Sequence, residues 1–516
     1  MTNDIETKLW KAADNLRENS GLSAHDYSTP VLGLIFLKFA DIKFVRATEE
    51  IKNDGRTPNK DRYLAKRVIY LPENARYEFL LHQAESTNIG ALLNEAMDKV
   101  EEDNEDLRGV LPRDFQKVGK EVLFDLLRSF NDIPMDTEED MFGRIYEYFL
   151  GKFALTEGQG GGEFFTPSWI VKLIINIIEP LSGKVFDPAC GSGGMFVQSA
   201  EFVKAHKKNI TGLAIYGQEK DRTTVKLGKM NLAIHGLPGD IKEGNIYYQD
   251  IHESVGKFDY VMANPPFNTD NQDVERIHNM NRFPFGLSTN ANGNGITQNG
   301  GNFLWAQIFY SALNKKGRSG FVMANGASAA GNSQAQIRQK LIGTGHVDVI
   351  IACPPNLFYN VQVPCTLWFY DKRKTEERKN TVLFFDAREI FEKIDAAHKK
   401  FSDKQIEFIS NVVRLYRGDK TETKEGSQKL IEESFPNNKY IDVPGLCKLA
   451  TLKEIKDKGW VLSPGRYIEF VEPPQSDEVF EEKMGEFTSK LGGMFKESDI
   501  FEKKIKENLK NIGFNV

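Results

Sequence analysis

Between residue 146 and about residue 400, short apolar runs ending on glycine, asparagine or proline alternate with helical patterns, and this restricts the fold more than any other feature of the chain. "GKVFDPACGSGG" reads as a strand and a glycine-rich turn, "MFVQSAEFVKAH" as a helix, and "AIYGQEKD" as a strand and turn. "RTTVKLGKMNLAIHG" reads as a helix ending on Gly236, and "KFDYVMANPPF" as a strand stopped by two prolines, which cannot donate ladder hydrogen bonds. "NFLWAQIFYSALNKKG" follows as a helix stopped by Gly317, then strands at "RSGFVMANG", "HVDVIIACPP" and "CTLWFYDK". Such alternation requires an α/β domain built on a largely parallel sheet.

The flanks follow other rules. Residues 1–145 carry helical spacing and few strand signals: Leu9, Trp10, Ala13 and Leu16 recur on one face. In "STPVLGLIFLKFADIKFVRATEEIK" the pattern predicts a helix with Ser28 or Thr29 as N-cap and Pro30 at its first position. Residues 401–475 read as a mixed connecting region. Residues 476–516 read as a helical tail in which Phe480, Met484, Phe487 and Leu491 share a face. Gly492 and Gly493 break that tail, and Ile505, Leu509 and Ile512 resume it, a spacing that suits a helix pair docked on another chain or on its own core.

Composition bounds the function. A chain of 516 residues suggests about three domains. Its 40% apolar and 27% charged residues are ordinary for a soluble protein. With a net charge of -6, contact with nucleic acid must be local or shared with a more basic partner. Cys190, Cys353, Cys365 and Cys447 show no metal-type pairing, which fits free thiols in a reducing cytoplasm. The N-terminus lacks a signal-peptide core, and the longest apolar stretch, "VLGLIFLKFA", contains Lys38 and is too short to span a membrane.

Three strand ends carry chemistry. After "VFDPACGSGG", Gly191, Gly193 and Gly194 permit a tight turn and close backbone approach, but neither dinucleotide-type glycine spacing nor a P-loop lysine is present. Asp187, followed by Pro188, would repel a pyrophosphate and attract a cation, such as the ammonium of S-adenosylmethionine. Glu219, at the end of the next strand, can accept both hydroxyls of a ribose. Asn245 and Ile246 fall where a third strand ends and can reach an adenine. "NPPF" is the most specific signal. The exocyclic amine of a base is a poor nucleophile because its lone pair is delocalised into the ring. The Asn264 side-chain oxygen and the Pro265 carbonyl can accept both of its hydrogens and hold it in line for transfer, while Pro266 stiffens the turn and Phe267 stacks on the base. Neither a catalytic cysteine nor a metal is needed. Cys365, though it follows a proline, sits in an apolar run and reads as core.

In "GGEFFTPSWIVKLI", Thr166 and Pro167 open a helix, as an N-cap with a hydrophobic staple or as a cofactor contact. "FYNVQVPCTLWFY" places Tyr359, Asn360 and Val361 where they can wall a base pocket. The Asn- and Gly-rich stretch 268–302 is longer than loops without a task usually are.

"EFFTP", "DPACGSGG", "GQEKD", "NPPF" and "FYNVQVPCTLWFY", in this order, resemble the modification (M) subunit of type I restriction–modification systems. The motifs cover 160–370, and the flanks resemble that family too. The resemblance implies a class I, Rossmann-like S-adenosylmethionine-dependent methyltransferase domain with a helical N-terminal domain and a C-terminal helical tail. It implies methylation of adenine N6 in double-stranded DNA. It further implies assembly of two M chains with one sequence-reading S chain, to which a nuclease R chain adds, so the target sequence belongs to another chain. By the same resemblance Glu163, Phe164, Phe165, Thr166, Pro167, Ser168, Ser192, Gly193, Gly194 and Glu219 contact the cofactor, and Asn264, Pro265, Pro266 and Phe267 form the catalytic motif. A protein glutamine N5-methyltransferase, an rRNA guanine N2-methyltransferase and a non-catalytic S-adenosylmethionine-binding scaffold are the rival readings. The long N-terminal domain argues against the glutamine enzyme, and the intact Asn264–Phe267 motif argues against a dead scaffold.

Overall fold

The structure, a computed structural model, describes residues 9–14, 17–18, 24–133, 145–146, 148–153, 166–269, 272–277, 280–290, 292–297, 300–358, 364–395, 398–469 and 480–511. The chain divides into two units, Met1–Glu469 and Phe470–Val516.

In the first unit, strands β1 (Gly183–Asp187), β2 (Leu213–Glu219), β3 (Gly239–Glu243), β4 (Phe258–Ala263), β5 (Leu313–Ala324), β6 (Val347–Ala352), β7 (Cys365–Asp371) and β8 (Thr381–Asp386) join Cys447–Thr451 in one sheet. Its order is Cys447–Thr451, β8, β6, β7, β5, β4, β1, β2, β3. The β3–β2–β1–β4–β5 pairings are all parallel, whereas β7 runs antiparallel to both β5 and β6. This is the Rossmann-like α/β architecture expected, with two reversed strands, β7 inserted between β5 and β6 and Cys447–Thr451 at the edge beside β8. Every residue of β6 and β7 is buried, as strands covered on both faces must be. Helices Ser168–Ile178, Gly194–Ala205 and Asp403–Arg417 cover one face, and Gly300–Ala312 and Asn332–Gly343 the other. Helix Arg222–Ile234 adds Val225 and Leu232 to the first face and gives Met230 and Ile234 to a separate core with the N-terminal helices.

Four local expectations are corrected. The first long helix begins at Ala24, so Ser28, Thr29 and Pro30 lie inside it rather than at its cap. Burial of Tyr27, Val31, Leu34 and Ile35 outweighs the single ladder bond that Pro30 forfeits near the helix start. Gly317 stops no helix: Gly300–Ala312 runs straight into β5, where a Cβ on Gly317 would lie 2.9 Å from the Phe258 carbonyl oxygen. Residues 403–451 are not a connector, because Asp403–Arg417 packs on the sheet and Cys447–Thr451 extends it. The C-terminal tail is one helix of 32 residues, Phe480–Asn511, that continues through Gly492 and Gly493. Each glycine costs about 1 kcal/mol relative to alanine, too little to end so long a helix. Among the described residues no helix is long and apolar enough to cross a membrane, and no group of His, Cys, Asp and Glu side chains could hold a metal ion.

Charge inside the core explains why residues 403–417 belong to the sheet. Asp348 on β6 is fully buried and meets Arg417 at 2.9 Å, Arg378 at 3.3 Å and Lys374 at 3.8 Å. Arg414 and Arg318 meet Glu179 at 2.9 and 3.2 Å. Burial pushes Asp348 upward, but Arg417, Lys374 and Arg378 outweigh it and hold its carboxyl below the ordinary value. Asp348→Ala leaves the buried Lys374 and Arg417 side chains without this anion, while Arg378 keeps Asp371 at 3.6 Å, and should lower the unfolding free energy by about 3–5 kcal/mol in an equilibrium urea titration. Because the folded value is depressed, the stabilisation from Asp348 is complete above the unfolded carboxylate pKa and is lost as pH falls through the folded one. The stability of the variant should therefore vary less than that of wild type over this acid range.

Candidate active site

Parallel strands linked by helices leave a crevice where the strand order reverses, beyond the strands' carboxyl ends. Here the reversal falls at β1, which pairs with β2 on one side and β4 on the other. Asp187 ends β1, Glu219 ends β2, Asn245 follows β3 by two residues, and Asn264 comes directly after β4. The topology thus brings four of the strand-end residues singled out in the sequence to one edge.

The turn after β1 is held from several sides. Gly191 (φ 51°) and Gly193 (φ 79°) adopt the left-handed conformation that glycine tolerates. The Gly191 N–H donates to Glu219 Oε2 at 3.1 Å, and the Lys220 and Asp221 N–H groups donate to Glu219 Oε1 at 2.8 and 3.1 Å. Glu219 therefore ties the glycine turn to the end of β2 while its Oε2 retains accepting capacity. Asn231, fully buried on the neighbouring helix, donates to the Ser192 carbonyl at 2.9 Å. A Cβ on Gly228 of the same helix would lie 3.0 Å from the Gly191 carbonyl, so small size at Gly228 lets that helix reach the turn. Pro188 is buried, and Gly194 opens helix Gly194–Ala205.

Asp187 is 1% exposed and accepts the Ala189 N–H at 3.0 Å. Burial raises its carboxyl well above the ordinary value; the Ala189 bond opposes this and the Glu219 charge adds to it. A buried acid of this kind is stabilised as a carboxylate when a cation lies beside it. Burial likewise raises the Cys190 thiol, reinforced by Asp187 and Glu219, which leaves it inert as a nucleophile. Asn245 turns inward to accept the Tyr247 N–H at 3.0 Å.

At Asn264 both side-chain amide atoms are buried and have no hydrogen-bond partner among the described residues. An orphaned polar group of this kind costs about 1–3 kcal/mol. Pro265 is buried, and Phe267 packs against the core of one sheet face. The chain then turns at Asn268 (φ 54°), and a reciprocal amide pair fixes this exit. The Asn268 N–H donates to Asn302 Oδ1, and Asn302 Nδ2 donates to Asn268 Oδ1, both at 2.9 Å. At the adjacent Gly301 a Cβ would lie 2.1 Å from the Thr269 carbonyl, so only glycine admits this contact. The stretch after Asn268 is also anchored: Tyr247 and Thr269 hydroxyls meet at 2.8 Å, and Tyr248 donates to Gln272 at 3.1 Å.

Sequence reasoning missed Asn231 and Asn302. The available signal was an asparagine at the head or within an apolar helix, where the side chain must find a partner. Pro167 occupies the N-cap position of Ser168–Ile178 without a side-chain cap, so Thr166 does not act as one. Glu163, Phe164, Phe165, Tyr359, Asn360 and Val361 lie outside the described residues.

Residues 137–475 match the model of the family described as N-6 DNA Methylase, and residues 5–130 match that of the HsdM N-terminal domain. The chain belongs to the N-6 DNA methylase family. Within it, this is the modification subunit of a type I restriction–modification system, an adenine-specific DNA methyltransferase. It is 36% identical to the type I restriction enzyme MjaIX methylase subunit of Methanocaldococcus jannaschii, over 100% of this chain and 92% of that one. It is 35% identical to the HindI methylase subunit of Haemophilus influenzae, over 83% and 94%. The type I methyltransferase subunit from Streptococcus thermophilus shares the fold, with a TM-score of 0.70 at 22% identity over 91% of this chain and 100% of that one.

In this methyltransferase Asn302 should act as a positioning residue for the strand-end motif. Asn302→Ala is expected to lower the turnover of DNA methylation about 10–100-fold, the scale of a small misplacement of reacting groups, while cofactor affinity stays near wild type. Single-turnover kinetics beside equilibrium cofactor binding would separate the two.

Proposed function

We propose that this subunit transfers a methyl group to the N6 amine of an adenine flipped out of double-stranded DNA, with Asn264, Pro265, Pro266 and Phe267 gripping the base. The observation that carries this reading is the Asn264 amide, buried without partners among the described residues at the mouth of the crevice. Its oxygen and the Pro265 carbonyl accept the two amine hydrogens and orient the nitrogen lone pair. The two prolines fix these acceptors without offering competing N–H donors. Phe267 stacks on the extruded base, worth about 1–3 kcal/mol against the cost of unstacking.

S-adenosylmethionine, when bound, supplies a methyl group on a positively charged sulfur. Asp187 takes its ammonium, Gly191, Ser192, Gly193 and Gly194 let the backbone approach it, and Glu219 accepts its ribose hydroxyls. Asn245 borders the adenine, and Glu163, Phe164, Phe165, Thr166, Pro167 and Ser168 complete the contacts. The donor set fits: among the described residues no cation lies within hydrogen-bond reach of the buried Asp187, and Glu219 Oε2 holds one N–H. Since the free Asp187 carboxyl is raised and the bound one must be ionised, cofactor affinity should strengthen as pH rises through the free value. Titration calorimetry over pH should show this dependence in wild type and its absence in Asp187→Asn.

The C-terminal helix supports assembly with a specificity (S) chain. Met484, Phe487, Leu491, Met494, Phe501 and Ile505 share one face at heptad spacing, and each is at least 43% exposed. An apolar seam of this length is stable only when covered by another helix. The working complex contains two copies of this subunit and one S chain, with an R chain added for restriction, and it acts in the cytoplasm.

Two outcomes test the reading. Asn264→Ala should retain cofactor binding and lose methyl transfer to DNA adenine; retained transfer would mean that the amine is held elsewhere. Phe487→Lys with Leu491→Lys should abolish co-purification with the co-expressed S chain and leave the thermal unfolding of the rest of the subunit unchanged.

A further inference from the structure

A recess of about 350 Å³ opens on the edge-strand side of the sheet, between the turn at Arg108–Val110 in the N-terminal region, the helix Arg222–Ile234 and the end of β3. Five cations line it: Arg108, Arg222, Lys226, Lys229 and Lys242, against one acid, Glu243. Two are compensated locally, since Lys242 pairs with Asp240 at 3.0 Å and Arg222 lies 4.0 Å from Glu243. Arg108, Lys226 and Lys229 have no ion-pair partner among the described residues, and both lysines are half-buried. Partly buried basic groups elsewhere in the fold have polar partners: Arg113 meets Glu101 and Asp98, Arg76 meets Asp41, and Lys257 and Lys372 donate to the His252 and Leu313 carbonyls. In a chain with a net charge of -6, three unmatched cations around one recess are a local reversal of sign that folding does not require.

The floor is apolar, formed by Val110, Val225 and Ile241. Lysines converging on a concave site bind phosphate as point-charge donors, and an arginine adds a planar fork. The volume lies at the lower end of the range for small-molecule sites, about 300–1,000 Å³. We infer that this recess is a binding site for a small polyphosphate, held by Arg108, Lys226 and Lys229, with the apolar floor open to the organic part of a nucleoside phosphate. Such a ligand bridges the N-terminal helices and the methyltransferase sheet. It sits beside the cofactor site without using it, because Glu243 on its rim pairs in register with Glu219.

The test is calorimetric titration of the full chain, at one fixed ionic strength, with sodium pyrophosphate, with adenosine triphosphate and with a short DNA duplex. Saturable one-to-one binding of pyrophosphate is expected. The Lys226→Gln/Lys229→Gln variant should bind it about tenfold more weakly or worse, the effect of losing a charge-assisted contact, with S-adenosylmethionine affinity unchanged. The Lys226→Arg/Lys229→Arg variant should retain binding, which separates loss of charge from loss of fold. Tighter binding of adenosine triphosphate than of pyrophosphate assigns the floor to a nucleoside; equal affinity assigns the site to the phosphates alone. Absence of saturable binding by both, equal binding by the glutamine variant, or binding of the duplex only would overturn the assignment. None of these outcomes bears on methyl transfer, which is measured separately.

Discussion

The reversal of strand order at β1 is the constraint on which the rest of the first unit depends. Parallel strands need helical crossovers, and crossovers on both faces force the sheet to be buried throughout. They also leave only the strand ends free to bear polar chemistry. Asp187 and Glu219 end the adjacent strands β1 and β2, and Asn264 follows β4, the neighbour of β1 on its other side, so acids and amide share one edge. The glycines serve this geometry: Gly217 and Gly228 remove side chains where the β1 turn meets its neighbours, and a Cβ on Gly217 would lie 2.9 Å from Cys190 Sγ.

Polar groups in this crevice are treated in two ways. Glu219 is already bonded to three backbone N–H groups, which hold the turn in shape before any ligand arrives. Asn264 has no partner among the described residues, although its amide atoms are buried. Stiff prolines and the Asn268–Asn302 amide pair keep this amide from collapsing onto the backbone. Pre-organised acceptors of this kind suit the base-gripping role proposed for Asn264, because they lower the reorganisation needed on binding.

The buried charge around Asp348 and Glu179 has another role. It ties β6, the segment after β7, Ser168–Ile178 and Asp403–Arg417 into one body. These pairs link residues distant in sequence, so they select one packing of the helices rather than adding much net stability. The family match to residues 137–475 agrees with a methyltransferase unit that extends well past residue 400.

Much of the fold and part of the site were legible in the sequence because they are local. A strand that ends in Asp187 and a glycine turn, or in two prolines, announces its ending within a few residues. The alternation of period fixed the class of sheet, and the strand-end residues marked the crevice. The helix start at Ala24, the strand role of Gly317 and the unbroken helix through Gly492 were not legible, because burial or helix length outweighs local punctuation worth about 1 kcal/mol. Asn231, Asn302 and the pairing of Asp348 with Arg417 were invisible for another reason: each joins residues more than thirty positions apart. By itself the sequence determined which strand ends bear which functional groups. Only the tertiary structure decided which of them meet, because meeting depends on strand order, and strand order is set by packing across the whole sheet.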